Sequence, residues 1–274
     1  MALTKFQRTL CRLISRHRIK LGESYVAGGV ALSALIHSAR ISRDIDLFHD
    51  TRQAVQKAWD ADRGLLLGNG YKVDVRRERP AFVEAVVTKG RESVLLEWAV
   101  DSAFRFFPLI QHPELGLVLH PFDLATNKVL ALVGRLEVRD WIDVMECHEK
   151  VQRLGYLVWA ACGKDPGLSP AMILAEAKRS AHYTDDEIGQ LAFSGPRPKA
   201  RPLAEKWRAM MEEASGLIEL LPPEHAGKCV LHKDMGLFQG RLKELKVALR
   251  DDRVFFHAVS LRGAFPRIVQ PRET

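Results

Sequence analysis

The sequence predicts an α+β protein, with a small mixed β-sheet flanked by helices first and a mainly helical half after it. Three observations predict this. An apolar run at 25–27 is interrupted by Gly28-Gly29, passes into the helical pattern Val30, Leu32, Leu35, Ile36, and returns to a short β-prone run ending at Phe48. Three more strand-like runs, 71–75, 81–87 and 94–100, follow one another with Pro80 and Lys89-Gly90 as punctuation. From Asp123 onward the apolar residues recur at helical spacing. The divide falls at His120-Pro121, giving a sheet domain over 1–120 that includes an N-terminal basic helix, and a helical domain over 121–274.

In chain order, residues 1–20 carry Lys5, Arg8, Arg12, Arg16, Arg18 and Lys20 with no acid, while Phe6, Leu10, Leu13 and Ile14 form an apolar stripe. That pattern reads as an amphipathic helix with a basic outer face. The glycine pair then opens a helix whose first N–H groups can meet an anion. Asp44 and Asp46 stand two apart in the next strand, so both carboxylates share one face while Ile45 and Leu47 face the core. Two like charges side by side need a cation between them, and the hard-oxygen partner for paired carboxylates facing a phosphate is Mg²⁺. A helix from Thr51 to about Leu67, closed by Gly68-Asn69-Gly70, precedes the three strands.

Glu97 sits inside the otherwise apolar third strand between Leu96 and Trp98. A charge there is costly unless it is paired or bound to metal, which makes it a candidate third acid, with Asp101 and Asp74 as the alternatives. Past His120-Pro121, a helix begins at Asp123, and Lys128 and Arg135, seven apart, share one of its faces and could both reach a phosphate. Arg139, Asp140 and Asp143 either take part there or lock two helices together. Further helices are expected over Trp141–Leu154, Pro170–Tyr183, Thr184–Phe193, Leu203–Leu221 and Leu237–Arg250. His225, Cys229 and His232 have metal-like spacing but lack an evident fourth ligand, and the tail from Arg262 reads as loose.

Composition bounds the function. The hydrophobic share of 47% suffices for a core, and no run reaches the length of a membrane span. Cys11, Cys147, Cys162 and Cys229 are scattered without pairing, which suits a reducing cytoplasm. The net charge of +7, concentrated at 1–20, Arg76–Arg79 and Arg197–Arg208, favours a phosphate-bearing partner and disfavours a cationic small-molecule acceptor.

Gly28-Gly29, a helix, and Arg40-x-Ser42-x-Asp44-x-Asp46 together resemble the signature of the nucleotidyltransferase fold, in the spacing of its AbiEii branch. Asp123-x₄-Lys128-x₆-Arg135-x₃-Arg139-Asp140-x₂-Asp143 is similar to a second tract of that family. The family pattern Val-Asp-Phe-Val-Asn-Asp appears here as Leu-Glu-Trp-Ala-Val-Asp, with Glu97 where the family usually has Asp. The resemblance implies a nucleoside triphosphate substrate, two Mg²⁺ ions held by Asp44, Asp46 and Glu97, and phosphate contacts from Gly28, Gly29, Ser42, Arg43, Lys128 and Arg135. Pyrophosphate would leave. With the basic clusters, the expected acceptor is RNA, the 3′ end of transfer RNA first. The alternative is a toxin of a toxin–antitoxin pair, with an antitoxin protein as partner, that nucleotidylates a protein or RNA. A second alternative is a non-catalytic nucleotide or nucleic-acid binding module, which intact Asp44, Asp46 and Glu97 argue against.

Overall fold

The computed structural model describes residues 3–180 and 182–266. In chain order the first elements are α1 (Lys5–Leu21), β1 (Ser24–Val26), α2 (Gly28–Ile36), β2 (Arg40–Ile41), β3 (Asp44–His49), α3 (Arg52–Gly68), β4 (Lys72–Arg79), β5 (Phe82–Lys89) and β6 (Glu92–Val100). Then come β7 (Phe104–Arg105), β8 (Ile110–His112), β9 (Gly116–Val118), α4 (Pro121–Arg135), α5 (Val138–Lys150), α6 (Leu154–Ala161), α7 (Pro170–Ala177) and α8 (Asp185–Gly189). The last are β10 (Ala192–Phe193), α9 (Ala200–Leu220), β11 (Cys229–His232), α10 (Leu242–Arg250), β12 (Val254–His257) and β13 (Ser260–Leu261).

These elements form two compact units. The first comprises the described residues up to Ala103, Leu109–Leu124 and Gly189–Arg197; the second comprises Phe104–Pro108, Ala125–Ile188 and the described residues from Pro198 on. The chain passes between them inside α4, four residues beyond the sequence boundary at 120. Two short stretches, 104–108 and 189–197, belong to the unit their flanks do not.

The first unit is built on a mixed seven-stranded sheet in the order β4-β5-β6-β3-β1-β9-β8. β3 runs parallel to β6 and β1 parallel to β9, and the remaining neighbours are antiparallel. Strict alternation in the central strands buries Ile45, Leu47, Val83, Ala85, Leu96 and Trp98 on one face. Trp59 of α3 meets Trp98 of β6 edge-on at 4.8 Å between ring centroids, so the long helix covers that face. Asp44, Asp46 and Glu97 alternate with the core residues, and their face is the half-exposed one.

Helix α1 starts where its capping box allows. Thr4 Oγ1 accepts from Gln7 N, and Gln7 Oε1 accepts from Thr4 N. Its apolar stripe is as expected, with Phe6, Leu10 and Ile14 buried. The basic outer face is thinner than expected, because Arg18 is 1% exposed and ion-paired to Asp62 of α3, itself 1% exposed. Trp98 Nε1 donates to the same Asp62 carboxylate at 2.8 Å. A lone buried arginine is prohibitive, and a hydrogen-bonded carboxylate makes it tolerable, so α1, α3 and β6 are tied at one point.

The second unit is mainly helical, and its elements depart from the expected pattern at several points. The segment after α5 is a separate helix, α6, since the turn at Val151–Arg153 intervenes and Gln152 is diverted to donate to Val230 O and Phe238 O, both at 2.8 Å. Cys229–His232 and Val254–His257, which carried no strand expectation, pair as an antiparallel ribbon. Around it Tyr156, Leu217, Val230, Phe238 and Leu245 form a buried cluster. The expected helix over 237–250 begins only at Leu242: Phe238 N donates to Val230 O, and Arg241 N is capped by the Glu244 carboxylate. The helix expected over 184–193 stops at Gly189, and Ala192–Phe193 pairs instead with β2 in the first unit. From residue 267 the tail expected to be loose lies outside the described residues.

No helix among the described residues is long and apolar enough to cross a membrane.

Candidate active site

The site begins at the turn between β1 and α2. Gly28 has φ +63°, and a Cβ on it would stand 1.6 Å from Asp46 Oδ2. A Cβ on Gly29 would stand 2.7 Å from both Ser42 Oγ and an Arg40 guanidinium nitrogen. Both glycines are therefore required by close approach, because the backbone lies directly on the side chains of Asp46, Ser42 and Arg40. No side chain caps the N-terminus of α2. Asp46 holds the turn from its backbone as well, its carbonyl accepting from Ala27 N at 3.1 Å.

The loop carrying Ser42 and Arg43 is clamped from a distance. Gln7 of α1 is 4% exposed, and its Nε2 donates to Ser42 O at 3.2 Å and to Arg43 O at 3.5 Å. Sequence reasoning placed no role on Gln7, since nothing local marks a contact to residues 35 positions away. Arg40, quoted in the motif but given no function, is 5% exposed and reaches Gly29, whereas Arg43 is exposed.

Across the sheet, the parallel register sets Asp46 directly beside Glu97 and Asp44 beside Leu95. Glu97 is therefore in the Asp46 row, and Asp44 is one pleat away on the same face. The other two acids considered lie elsewhere. Asp101 follows the end of β6, its N–H bonded to His49 O and its carboxylate accepting from Ser102 N at 2.8 Å. Asp74 is on the edge strand β4, paired with Arg76 at 3.0 Å. On the other side of Glu97 the row continues to Glu84 of β5 and Arg77 of β4, with Arg77 Nε 3.7 Å from Glu84 Oε1. Glu84 was missed. Its signal was a single acid in the apolar run 81–87, but only the register shows whom it faces.

Among the described residues, no three His, Cys, Asp or Glu side chains close around a common point that could hold a metal ion. The donor set still fits Mg²⁺, which takes one or two carboxylates and completes its octahedron with substrate phosphates and water. Asp44, Asp46 and Glu97 offer only hard oxygens on one face, and Asp46 lies over the glycine turn where a triphosphate would be cradled.

Lys128 and Arg135 lie in the second unit and are engaged there. Lys128 Nζ is 3.1 Å from Asp140 and 2.8 Å from Asp143, and Arg135 is 2.8 Å from Asp140. Lys128, Asp140 and Asp143 are all buried. The two acids have the helix-locking role that the sequence left open for them, joining α4 to α5. Arg139 pairs with Glu137 at 2.6 Å. His225 and His232 stack on Phe256 and lean on Phe238, with centroids at 4.1 and 4.7 Å.

The profile of the family described as nucleotidyl transferase AbiEii toxin, type IV toxin–antitoxin system, matches residues 10–223. The chain belongs to the AbiEii family. This AbiEii protein is accordingly a nucleotidyltransferase toxin of a type IV system, and a nucleoside triphosphate is its substrate. The toxin reading, held second on the sequence alone, is the one the family carries. In fold the chain is similar to MenT4, the nucleotidyltransferase toxin Rv2826c of Mycobacterium tuberculosis H37Rv, with a TM-score of 0.51 and 20% identity over 90% of this chain and 91% of that one. It is also similar to JHP933 from Helicobacter pylori, with a TM-score of 0.50 and 14% identity over 79% and 95% of the two chains. No curated protein sequence matches it.

Proposed function

We propose that this toxin transfers a nucleotide from a nucleoside triphosphate to the 3′ end of an RNA, transfer RNA first, and that a partner antitoxin restrains it. The observation that carries the reading is the Asp46–Glu97 row standing over the Gly28-Gly29 turn. The N–H groups opening α2, the Ser42 hydroxyl and the Arg40 and Arg43 guanidinium groups receive the phosphates. Asp44, Asp46 and Glu97 are the residues that would hold Mg²⁺, which when bound neutralises the triphosphate and sharpens the electrophilicity of its α-phosphorus. Glu97 takes the proton of the acceptor hydroxyl as its oxygen bonds to the α-phosphorus. The bond from that phosphorus to the bridging oxygen breaks, and pyrophosphate carries away the electron pair.

Lys128 and Arg135 keep a phosphate-binding role only if substrate draws them off Asp140 and Asp143. RNA is favoured as acceptor by the net charge of +7 and by arginines with exposed side chains on β4, Arg76 at 56% and Arg77 at 68%. Incubating the purified protein with each α-labelled triphosphate, total RNA and a cell protein extract tests this directly. Label in the RNA fraction is expected, and label confined to protein would overturn the RNA reading.

A further inference from the structure

The row that carries the site runs on to the edge of the sheet. Asp46, Glu97, Glu84 and Arg77 stand side by side on four adjacent strands, and the next row ends in Phe82 and Arg79. β4 is the terminal strand, and its register shifts between Val75 and Arg77. That bulge is what aims the arginines: Asp74 faces Val86 and Arg77 faces Glu84, three positions on β4 against two on β5, so Arg77 and Arg79 turn to the face of Glu97. Charges on an edge strand also keep it from pairing with another chain, but that purpose would be met in any row and on either face.

Glu84 needs explaining too. Its side chain is only 16% exposed, it stands opposite another glutamate, and its arginine neighbour at 3.7 Å is beyond hydrogen-bond length. Neighbouring carboxylates of this kind suit a ligand that presents two adjacent hydroxyl donors, and the terminal ribose of an RNA does so, with phosphates beyond it for the arginines.

We propose that the acceptor RNA approaches over β4, the phosphates of its last nucleotides on Arg77 and Arg79, its terminal 2′-hydroxyl donating to Glu84 while its 3′-hydroxyl meets Glu97. Glu84 accepts a hydrogen bond and exchanges no proton; the transferred nucleotide still goes to the 3′-oxygen and the proton to Glu97. The inference rests on the RNA reading above and deepens it by making the enzyme select ribose over deoxyribose ends.

The test uses the full chain, a radiolabelled triphosphate, and paired oligonucleotide acceptors ending in ribose or 2′-deoxyribose. Wild type should favour the ribose end at least tenfold in kcat/KM, and Glu84→Ala should bring that ratio close to one while leaving the triphosphate KM and the melting temperature little changed. Glu84→Gln, which keeps an acceptor oxygen, should retain part of the preference. The double substitution Arg77→Glu, Arg79→Glu should raise the RNA KM at least tenfold and make its dependence on log salt shallower by about 1.4, since two phosphate contacts are lost at about 0.7 each on single strands. Glu84→Ala losing activity equally on both acceptors would overturn the hydroxyl contact, and an unchanged RNA KM and salt slope in the arginine variant would overturn the docking strip. Wild type that labels protein but neither oligonucleotide removes the RNA reading itself, and this inference with it, before any variant is made.

Discussion

At the scale of residues, function and local geometry meet at Gly28. With φ at +63° and only 1.6 Å between the position of an added Cβ and Asp46 Oδ2, any side chain there displaces the carboxylate. Gly28→Ala should therefore lower transfer by about 10²-fold or more, since misplacement by about 1 Å has that effect, with a melting temperature that shows the fold retained. A Gly28→Ala enzyme of wild-type activity would mean that Asp46 has no part in the chemistry. Glu97 and Asp101 are separated by the same logic. Glu97→Gln should drop single-turnover transfer by roughly 10²-fold or more while triphosphate binding survives, and Asp101→Asn should do much less. The reverse ranking would move the role to Asp101. The placement of the glycine pair, Asp44 and Asp46 at one turn and on one strand face was legible because it depends on spacing within one short stretch. Gln7 and Glu84 were not, because what matters about them is a contact fixed by chain reversal and strand register, which spacing along the sequence does not encode.

Among elements, the ion cluster between α4 and α5 is where the motif reading and the structure differ most. The sequence placed Lys128 on a helix face available to phosphate, yet its ammonium lies between Asp140 and Asp143, two carboxylates with 0% and 1% exposure. Removing the lysine leaves two buried carboxylates with one cation fewer, so Lys128→Ala should destabilise the protein by about 3–5 kcal/mol in denaturant unfolding. A stable variant with weakened triphosphate affinity would return Lys128 to the phosphate role. The long elements were readable from periodicity: α3 begins one residue past Thr51, whose hydroxyl accepts from Ala54 N at 3.1 Å, and the strands of the hairpins fall within a few residues of their expected bounds. β10, β11 and β12 were not, since strands of two to four residues are too short to show alternation and owe their existence to partners distant in sequence.

For the whole molecule, acid stability should report on His49, at the end of the strand that carries Asp46. It is 0% exposed, and burial first, then the nearby Arg18 charge, hold its pKa down to about 4. An unfolded histidine takes up its proton near pH 6.5, so between about 6.5 and 4 the unfolded chain binds more protons than the folded one. Stability is thus fully present above 6.5 and falls as pH drops toward 4, by about 3 kcal/mol from this group. His49→Gln should flatten that limb of the unfolding free energy against pH, whatever it does to stability at neutral pH; an unchanged slope would show that His49 titrates alike in both states. If this toxin does its chemistry at the carboxylate row over the glycine turn, transfer depends on Asp46. Single-turnover transfer of an α-labelled nucleotide to RNA by wild type and by Asp46→Asn, each shown folded and each at saturating triphosphate and Mg²⁺, tests it most directly. Labelled RNA and released pyrophosphate are expected from wild type, with a loss of about 10²-fold or more in the variant; transfer by Asp46→Asn at the wild-type rate would place the chemistry elsewhere.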